Sequence, residues 1–395
     1  MPMKKFILQI IFLLLIFSPE NVQADVPKIS NLQFSDNPIT LGEWITISFE
    51  FEGRVEKYRV ENVWETKDGE VKKEGKEFPV KPEIKEKPAG LITLRWKWNN
   101  PAPKPYRIVK VWALDAAGNQ SNVLSGEVKV AKGIVMGEEE VKIPLELKYA
   151  FTKKTINLSG TIYKPDSAEK FPLVILNHGT PRNAEDRKKT MKFKEQSKVF
   201  VRKGFVVAAP IRRGHGTSEG EYAEHSGKCN ESDYFHGADE AVKDIKATHD
   251  FMKKKPYIDT DKKILLVGQS AGGFSSLAYA SIYPDEVVAV INFAGGKGST
   301  GPYNVCSPDR LVLTVGNFGK TSKKLPTIWI YTEKDDFFPP DLSKKMFAAY
   351  KKSGGEGKFL MLQSEFGHSF FHKAEAIKTW EPIVEEFLKE INVLK

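Results

Sequence analysis

Lys263-Ile-Leu-Leu-Val-Gly268-Gln-Ser270-Ala-Gly-Gly273-Phe-Ser-Ser-Leu-Ala-Tyr-Ala-Ser281 joins an apolar strand to a helix through a serine set between glycines. Residues 264–267 are a strand-type apolar run, and a helix is predicted over about 271–283. The glycines at 268 and 272 permit a sharp strand-to-helix turn, which lifts the Ser270 hydroxyl at the carboxyl end of the strand with a helix N-terminus behind it. Five residues of this kind also arise by chance. The strand before and the helix after give the pattern its weight.

The surroundings repeat the alternation of strand and helix. Leu145 to Phe151 and Ile156 to Tyr163 predict an opening hairpin. Phe171-Pro-Leu-Val-Ile-Leu-Asn177, Phe205-Val-Val-Ala-Ala-Pro210, Val287-Val-Ala-Val-Ile-Asn292 and Thr327-Ile-Trp-Ile-Tyr331 are continuous apolar runs of the buried-strand type. Helices are predicted at about 190–203, 236–255, 340–353 and 373–393. The fold class is therefore α/β, a mostly parallel sheet with helices on both faces.

A serine hydroxyl is a weak nucleophile at neutral pH and needs a histidine base oriented by a carboxylate. On a strand–turn–helix scaffold these follow the serine in the order acid, then histidine. Thr332-Glu-Lys-Asp335-Asp336-Phe-Phe-Pro-Pro340 follows a strand where the acid belongs, and Ser364-Glu-Phe-Gly367-His368-Ser-Phe370 lies in a loop before the last helix, where the base belongs. Ser270, Asp335 and His368 are the candidate triad, with Asp336 as the alternative acid.

Residues 141–395 resemble the α/β-hydrolases, nearest to the dienelactone hydrolase-like and prolyl-oligopeptidase-like branches. Asn177-His178-Gly179-Thr180, Arg212-Arg-Gly-His-Gly-Thr-Ser-Glu-Gly220, Gly268-Gln-Ser-Ala-Gly-Gly273, Tyr331 to Pro340 and Gly367-His368 carry the resemblance. It implies Asp335 as the acid and an oxyanion hole from the backbone N–H groups of Thr180 and Ala271. It implies a structural role for His178. Dienelactone hydrolases proper use a cysteine where this chain has Ser270, so a general carboxylic-ester hydrolase is expected. His215, His225, His236, His249 and His372 are expected to be structural, with His372 the second choice for the base. Arg212 and Arg213 either face the site and receive an acidic substrate or form salt bridges within their loop. The stretches 211–235 and 294–325 are expected to wall the pocket as loop and insertion.

Residues 25–131 carry a different pattern. Ile45, Ile47, Phe49 and Phe51 alternate with polar partners, as do Leu91 to Trp98, and Tyr106 to Leu114 meets Val123 to Val130 across Asp115-Ala-Ala-Gly118-Asn-Gln-Ser121. A small all-β sandwich is predicted. Its closing stretch, Val111 to Asn122, resembles the last hairpin of immunoglobulin-like or fibronectin-type modules. Trp44, Trp64, Trp96, Trp98 and Trp112 are assigned mostly to its core, and 132–140 to a linker.

The chain of 395 residues is long enough for two such cores, and 41% hydrophobic with 28% charged residues excludes a disordered chain. Lys4-Lys5, the apolar run Phe6 to Phe17 and the small residues up to Ala24 form a secretory signal over 1–24, with a mature start at Asp25. Export to the periplasm or the medium is expected, and no later segment is apolar for long enough to span a bilayer. The net charge of +9, or +8 once Lys4, Lys5 and Glu20 are removed, is spread over scattered lysines without a basic aromatic stripe, which argues against nucleic acid. Cys229 and Cys306 invite a disulfide in an exported chain, the alternative being two free thiols. Neither has metal-site spacing, and no cofactor or metal is implied.

The expected function is an exported serine hydrolase acting on a small-molecule or polymer-attached ester through an acyl-enzyme. A serine peptidase or amidase and a non-enzymatic envelope-binding protein are the alternatives.

Overall fold

The computed structural model describes residues 26–35, 39–40, 44–66, 68–98, 106–131, 136–148, 152–322 and 324–394. The expected signal segment, 1–24, lies outside them. The chain divides into two compact units, Met1–Gly133 and Ile134–Lys395.

The first unit contains β1 (Lys28–Phe34), β2 (Ile39–Thr40), β3 (Trp44–Glu52), β4 (Lys57–Glu65), β5 (Val71–Pro79), the single helical turn α1 (Pro82–Lys85), β6 (Ala89–Lys97), β7 (Tyr106–Leu114) and β8 (Leu124–Ala131). They form a three-stranded sheet, β1-β3-β6, and a five-stranded sheet, β2-β8-β7-β4-β5. The pairings are antiparallel except for β2 with β8. The alternation in β3 buries Ile45, Ile47, Phe49 and Phe51, which share one core with Val60, Val109 and Val111 of the other sheet. Trp96 and Trp98 are buried in that core, whereas Trp64 and Trp112 are half-buried beneath the guanidinium groups of Arg107 and Arg59.

The second unit continues with β9 (Met136–Lys148), β10 (Lys153–Pro165), β11 (Leu173–Asn177), α2 (Lys194–Arg202), β12 (Val206–Ile211), α3 (Tyr234–Met252), β13 (Ile264–Gln269), α4 (Ala271–Ile282) and β14 (Val287–Phe293). A small hairpin of β15 (Ser299–Gly301) and β16 (Asn304–Val305) follows, then α5 (Pro308–Thr321), β17 (Thr327–Thr332), α6 (Pro340–Lys352), β18 (Lys358–Leu362) and α7 (Ala374–Glu390). Its eight-stranded sheet has the order β18-β17-β14-β13-β11-β12-β10-β9. The strands from β12 to β18 are parallel, and the hairpin β9–β10 closes one edge antiparallel. The side chains of β11, β12, β13 and β17 are all buried, as their apolar runs require when helices cover both faces. Val199, Phe200, Trp380 and Val384 of α2 and α7 pack on one face; Ile245, Phe274, Val315 and Met346 of α3 to α6 pack on the other.

Two expectations are corrected. Residues 136–140, assigned to the linker, are the start of β9, with Glu138, Glu139 and Glu140 opposite Tyr163, Ile162 and Thr161. An edge strand tolerates such charge because one flank faces solvent, and here Lys192, Lys194 and Lys255 pair with the glutamates. The insertion at 294–325 contains the regular helix α5, whose Leu311, Val315 and Phe318 recur at helical spacing on the buried side. The stretch 211–235 is irregular between β12 and α3 apart from a short turn at Cys229–Glu231.

Cys229 and Cys306 form a disulfide with their Cα atoms 4.6 Å apart, so the 211–235 loop is tied to the segment before α5 across 77 residues. Tyr234 donates to the Cys306 carbonyl and Ser307 to that of Cys229 at 2.8 Å. Closing a loop of this length restrains the unfolded chain. The double variant Cys229→Ser/Cys306→Ser is expected to lose about 2–4 kcal/mol of stability, read by calorimetry as a fall of several degrees in Tm. An unchanged Tm would contradict a restraining role.

Candidate functional site

Ser270 stands between β13 and α4 at φ 57° and ψ −125°, a conformation that costs a side-chain-bearing residue energy and persists only where the surroundings enforce it. Close backbone approach enforces it here. A Cβ on Gly272 would lie 2.1 Å from the Asn177 carbonyl oxygen, and one on Gly268 would lie 2.3 Å from that of Gly272. The Ser270 N–H donates to the Phe293 carbonyl at 2.9 Å, and its own carbonyl accepts from Phe274 and Gly296 at 3.1 Å. The end of β11 lies on the same spot, since a Cβ on Gly179 would be 2.9 Å from Ser270 Cβ. Thr180 and Ala271 thereby line the same cavity as Ser270.

The acid and base loops converge at the carboxyl ends of β17 and β18. His368 Nδ1 is 3.0 Å from Asp335 Oδ2 and 3.1 Å from Oδ1. Asp335 is fully buried and its Oδ1 accepts from the backbone N–H groups of Phe337 at 2.8 Å and Phe338 at 3.0 Å. Asp336 points elsewhere, pairing with Arg182 at 3.5 Å. Gly367, at φ 50°, fits where a Cβ would sit 2.7 Å from the Lys334 carbonyl, which lets the histidine loop close on the acid loop. The Phe337 ring stacks on His368 with centroids 4.0 Å apart, and the Arg182 guanidinium lies over the Phe337 ring 3.4 Å from its centroid.

Gln269, next to Ser270, carries no sequence signal of a role. Its amide nitrogen donates to the His368 carbonyl at 3.1 Å, and its Oε1 meets His372 Nε2 at 3.1 Å. The elbow is thus tied to the histidine loop. His372, the second choice for the base, is occupied in this link, and burial lowers its pKa to about 4.

His178 is buried with Nδ1 2.7 Å from the Gly179 carbonyl, while Nε2 accepts the Arg212 N–H at 2.9 Å. Burial and the Arg212 charge push its pKa well below the ordinary value, in keeping with a neutral structural ring. His215 is likewise lowered to about 4, chiefly by burial. His249 meets Tyr279 at 2.8 Å and Glu286 at 3.0 Å, and the rings of His225 and His236 lie 4.8 Å apart.

Ser270 opens on a cavity of about 200 Å³ whose lining includes Thr180, Arg182, Arg187, Tyr222, Glu224, Ala271, Lys297 and Phe337. Arg212 and Arg213 are absent from that lining and both form ion pairs. Arg213 binds Asp244 at 2.9 Å and Glu240 at 2.6 Å, and Arg212 grips Glu224 through Nε and through Nη2 at 3.5 Å. Lys297 Nζ meets the same Glu224 at 3.3 Å. Burial alone would raise the Glu224 pKa, but Arg212 first and Lys297 second hold it well below the ordinary value. Nothing in the spacing of Arg212, Glu224 and Lys297 signals this cluster, because Lys297 comes from a different loop than the other two and Arg212 and Glu224 are 12 residues apart within theirs.

The second unit has a doubly covered, mostly parallel α/β sheet with a strand–serine–helix turn, and the proteins it resembles are hydrolases and esterases. The model of the serine aminopeptidase S33 family matches residues 171–315, from the start of β11 into α5, a span that includes Ser270 and ends before Asp335 and His368. Dipeptidyl-peptidase 5 of Porphyromonas gingivalis is 30% identical over 138 residues, covering 33% of this chain and 18% of that protein. A bifunctional esterase/perhydrolase of Acinetobacter calcoaceticus is 28% identical over 141 residues, covering 36% of this chain and 41% of that one. The chain therefore spans less than half the length of either. Among solved structures, a Pyrococcus furiosus esterase aligns at 18% identity and a TM-score of 0.45, over 65% of this chain and 91% of that one.

Replacing Glu224 by Gln would leave Arg212 and Lys297 buried without a counter-charge. Glu224→Gln is expected to cost about 3–5 kcal/mol at neutral pH, measured by denaturant unfolding. The pKa of Glu224 is depressed in the folded state, so its contribution is present above the ordinary 4.5 and is lost as the pH falls through the folded value. The variant should lack that acid-dependent loss, and equal stability of the two proteins at neutral pH would refute the pairing.

Proposed function

We propose that this protein is a carboxylic-ester hydrolase in which Ser270 attacks the ester carbonyl, His368 carries the proton and Asp335 orients His368. The contact of His368 Nδ1 with both oxygens of a buried, doubly hydrogen-bonded Asp335 carries the proposal. With Nδ1–H held by the carboxylate, Nε2 is the basic nitrogen free to take the serine proton. Ser270 Oγ then bonds to the carbonyl carbon, the backbone N–H groups of Thr180 and Ala271 bear the oxyanion, and His368 returns the proton to the departing alkoxide. Water, deprotonated by His368, cleaves the acyl-enzyme and releases the acid. An immunoglobulin-like module over 25–131 and export directed by 1–24 belong to the same proposal, and the Cys229–Cys306 bridge suits an oxidising compartment.

A peptidase reading draws on the match to dipeptidyl-peptidase 5. An aminopeptidase must hold a cationic substrate terminus, which calls for an unpaired carboxylate. Glu224 is the one carboxylate lining the cavity among the described residues, and two cations already bind it. Ester hydrolysis is the better supported reading.

With 4-nitrophenyl acetate and butyrate, Ser270→Ala is expected to lower kcat by about a thousandfold or more, and Asp335→Asn by a comparable factor. Asp336→Asn should cost less than about tenfold, because it acts only through Arg182. Undiminished turnover by Ser270→Ala would sink the proposal, and faster turnover of aminoacyl amides than of esters would favour the peptidase.

A further inference from the structure

The cavity beside Ser270 carries more positive charge than its own carboxylates neutralise. Lys297 is only 6% exposed and lines the cavity, yet its acid partner among the described residues is Glu224, which Arg212 also holds. One carboxylate thus serves two buried cations. Arg187 lines the same cavity with its guanidinium 4.3 Å from the centroid of the Tyr222 ring and has no carboxylate partner among the described residues. Arg182 is matched by Asp336. The neighbouring His178 and His215 are held neutral by burial, so they add no charge of either sign. Of the charged residues lining the cavity, Arg182, Arg187 and Lys297 face one carboxylate, Glu224, while Arg212 and Asp336 pair with Glu224 and Arg182 from outside the lining.

A buried cation without its own counter-ion is costly, and the cost is relieved when a ligand supplies the missing anion. In a small cavity with low-dielectric walls that attraction is stronger than at an open surface. A water-exposed lysine would recruit ions from solvent. Lys297 instead lines the cavity while almost wholly buried, with Glu224 as its carboxylate partner among the described residues.

We infer that Lys297, aided by Arg187, forms a subsite for an anionic group on the substrate, so that the preferred ester bears a carboxylate near the scissile bond. This rests on the ester-hydrolase reading of Ser270. The carboxylate can belong to the acyl or to the alcohol part, and matched substrates separate the two.

The test compares kcat/KM for 4-nitrophenyl hydrogen glutarate with that for its methyl ester, and for 4-acetoxybenzoate with that for methyl 4-acetoxybenzoate, each corrected for spontaneous hydrolysis. At least one acid is expected to exceed its methyl ester by about tenfold or more, mainly through KM, and the arm that does so identifies the charged side. Lys297→Met leaves Glu224 and Arg212 as a balanced pair and should bring the ratio near unity. Lys352→Met, on the exposed end of α6, should leave it as in the wild type. No preference in either arm, or a preference that survives Lys297→Met, overturns the subsite. Should the Lys297→Met protein fail to fold, competitive inhibition of the wild type by glutarate but not by glutaramide upholds the subsite, and equal inhibition by both, or none, overturns it. Absence of turnover with all four esters would instead count against the hydrolase reading. Thermal shift then tests the subsite without turnover: a Tm rise with glutarate and not glutaramide supports it, and no rise overturns it.

Discussion

Where β13 meets α4, two backbone segments pass so close that neither Gly268 nor Gly272 has room for a side chain, and the residue between them is driven to positive φ. The contact with the Asn177 carbonyl ties the turn to the end of β11, the strand that pairs with β13 in the middle of the sheet. Any side chain at these glycines would force the helix away from the sheet edge, and with it the serine. The acid loop, the histidine loop and the turn after β11 are all placed relative to this one crossing. Gln269 couples it to the histidine loop by two side-chain hydrogen bonds, so the turn and the loop that carries His368 are tied together.

A second constraint acts on charge. The loop between β12 and α3 crosses the mouth of the sheet, and the disulfide pins it beside the segment that carries Lys297. Arg212 holds Glu224 from behind, and Lys297 meets it from the cavity side. Backbone constraints therefore place the proposed reacting groups, while a buried and unevenly matched ion cluster sets the electrical character of the space beside Ser270.

Much of this was readable from the chain because the relevant patterns are local. Buried parallel strands announce themselves as apolar runs such as Ile264 to Val267, and two glycines around Ser270 mark a turn that few other residues could make. Asp335 and Asp336 are adjacent; the resemblance points to the first, and the structure separates them in contacts, giving the first two backbone donors and a histidine and the second an arginine. The linker boundary was misplaced because three successive glutamates look like solvated chain, although an edge strand accommodates them. Helix α5 was hidden by its polar face, and the Glu224 cluster by distance along the chain: residues 212, 224 and 297 meet only after folding.

The most direct measurement is covalent labelling of the full chain by a fluorophosphonate, with the adduct located by peptide mass spectrometry. An elbow that activates its serine through His368 and Asp335 predicts one adduct, on Ser270, at a rate that drops sharply in Asp335→Asn. No adduct, an adduct on another serine, or an equal rate in Asp335→Asn would contradict the account.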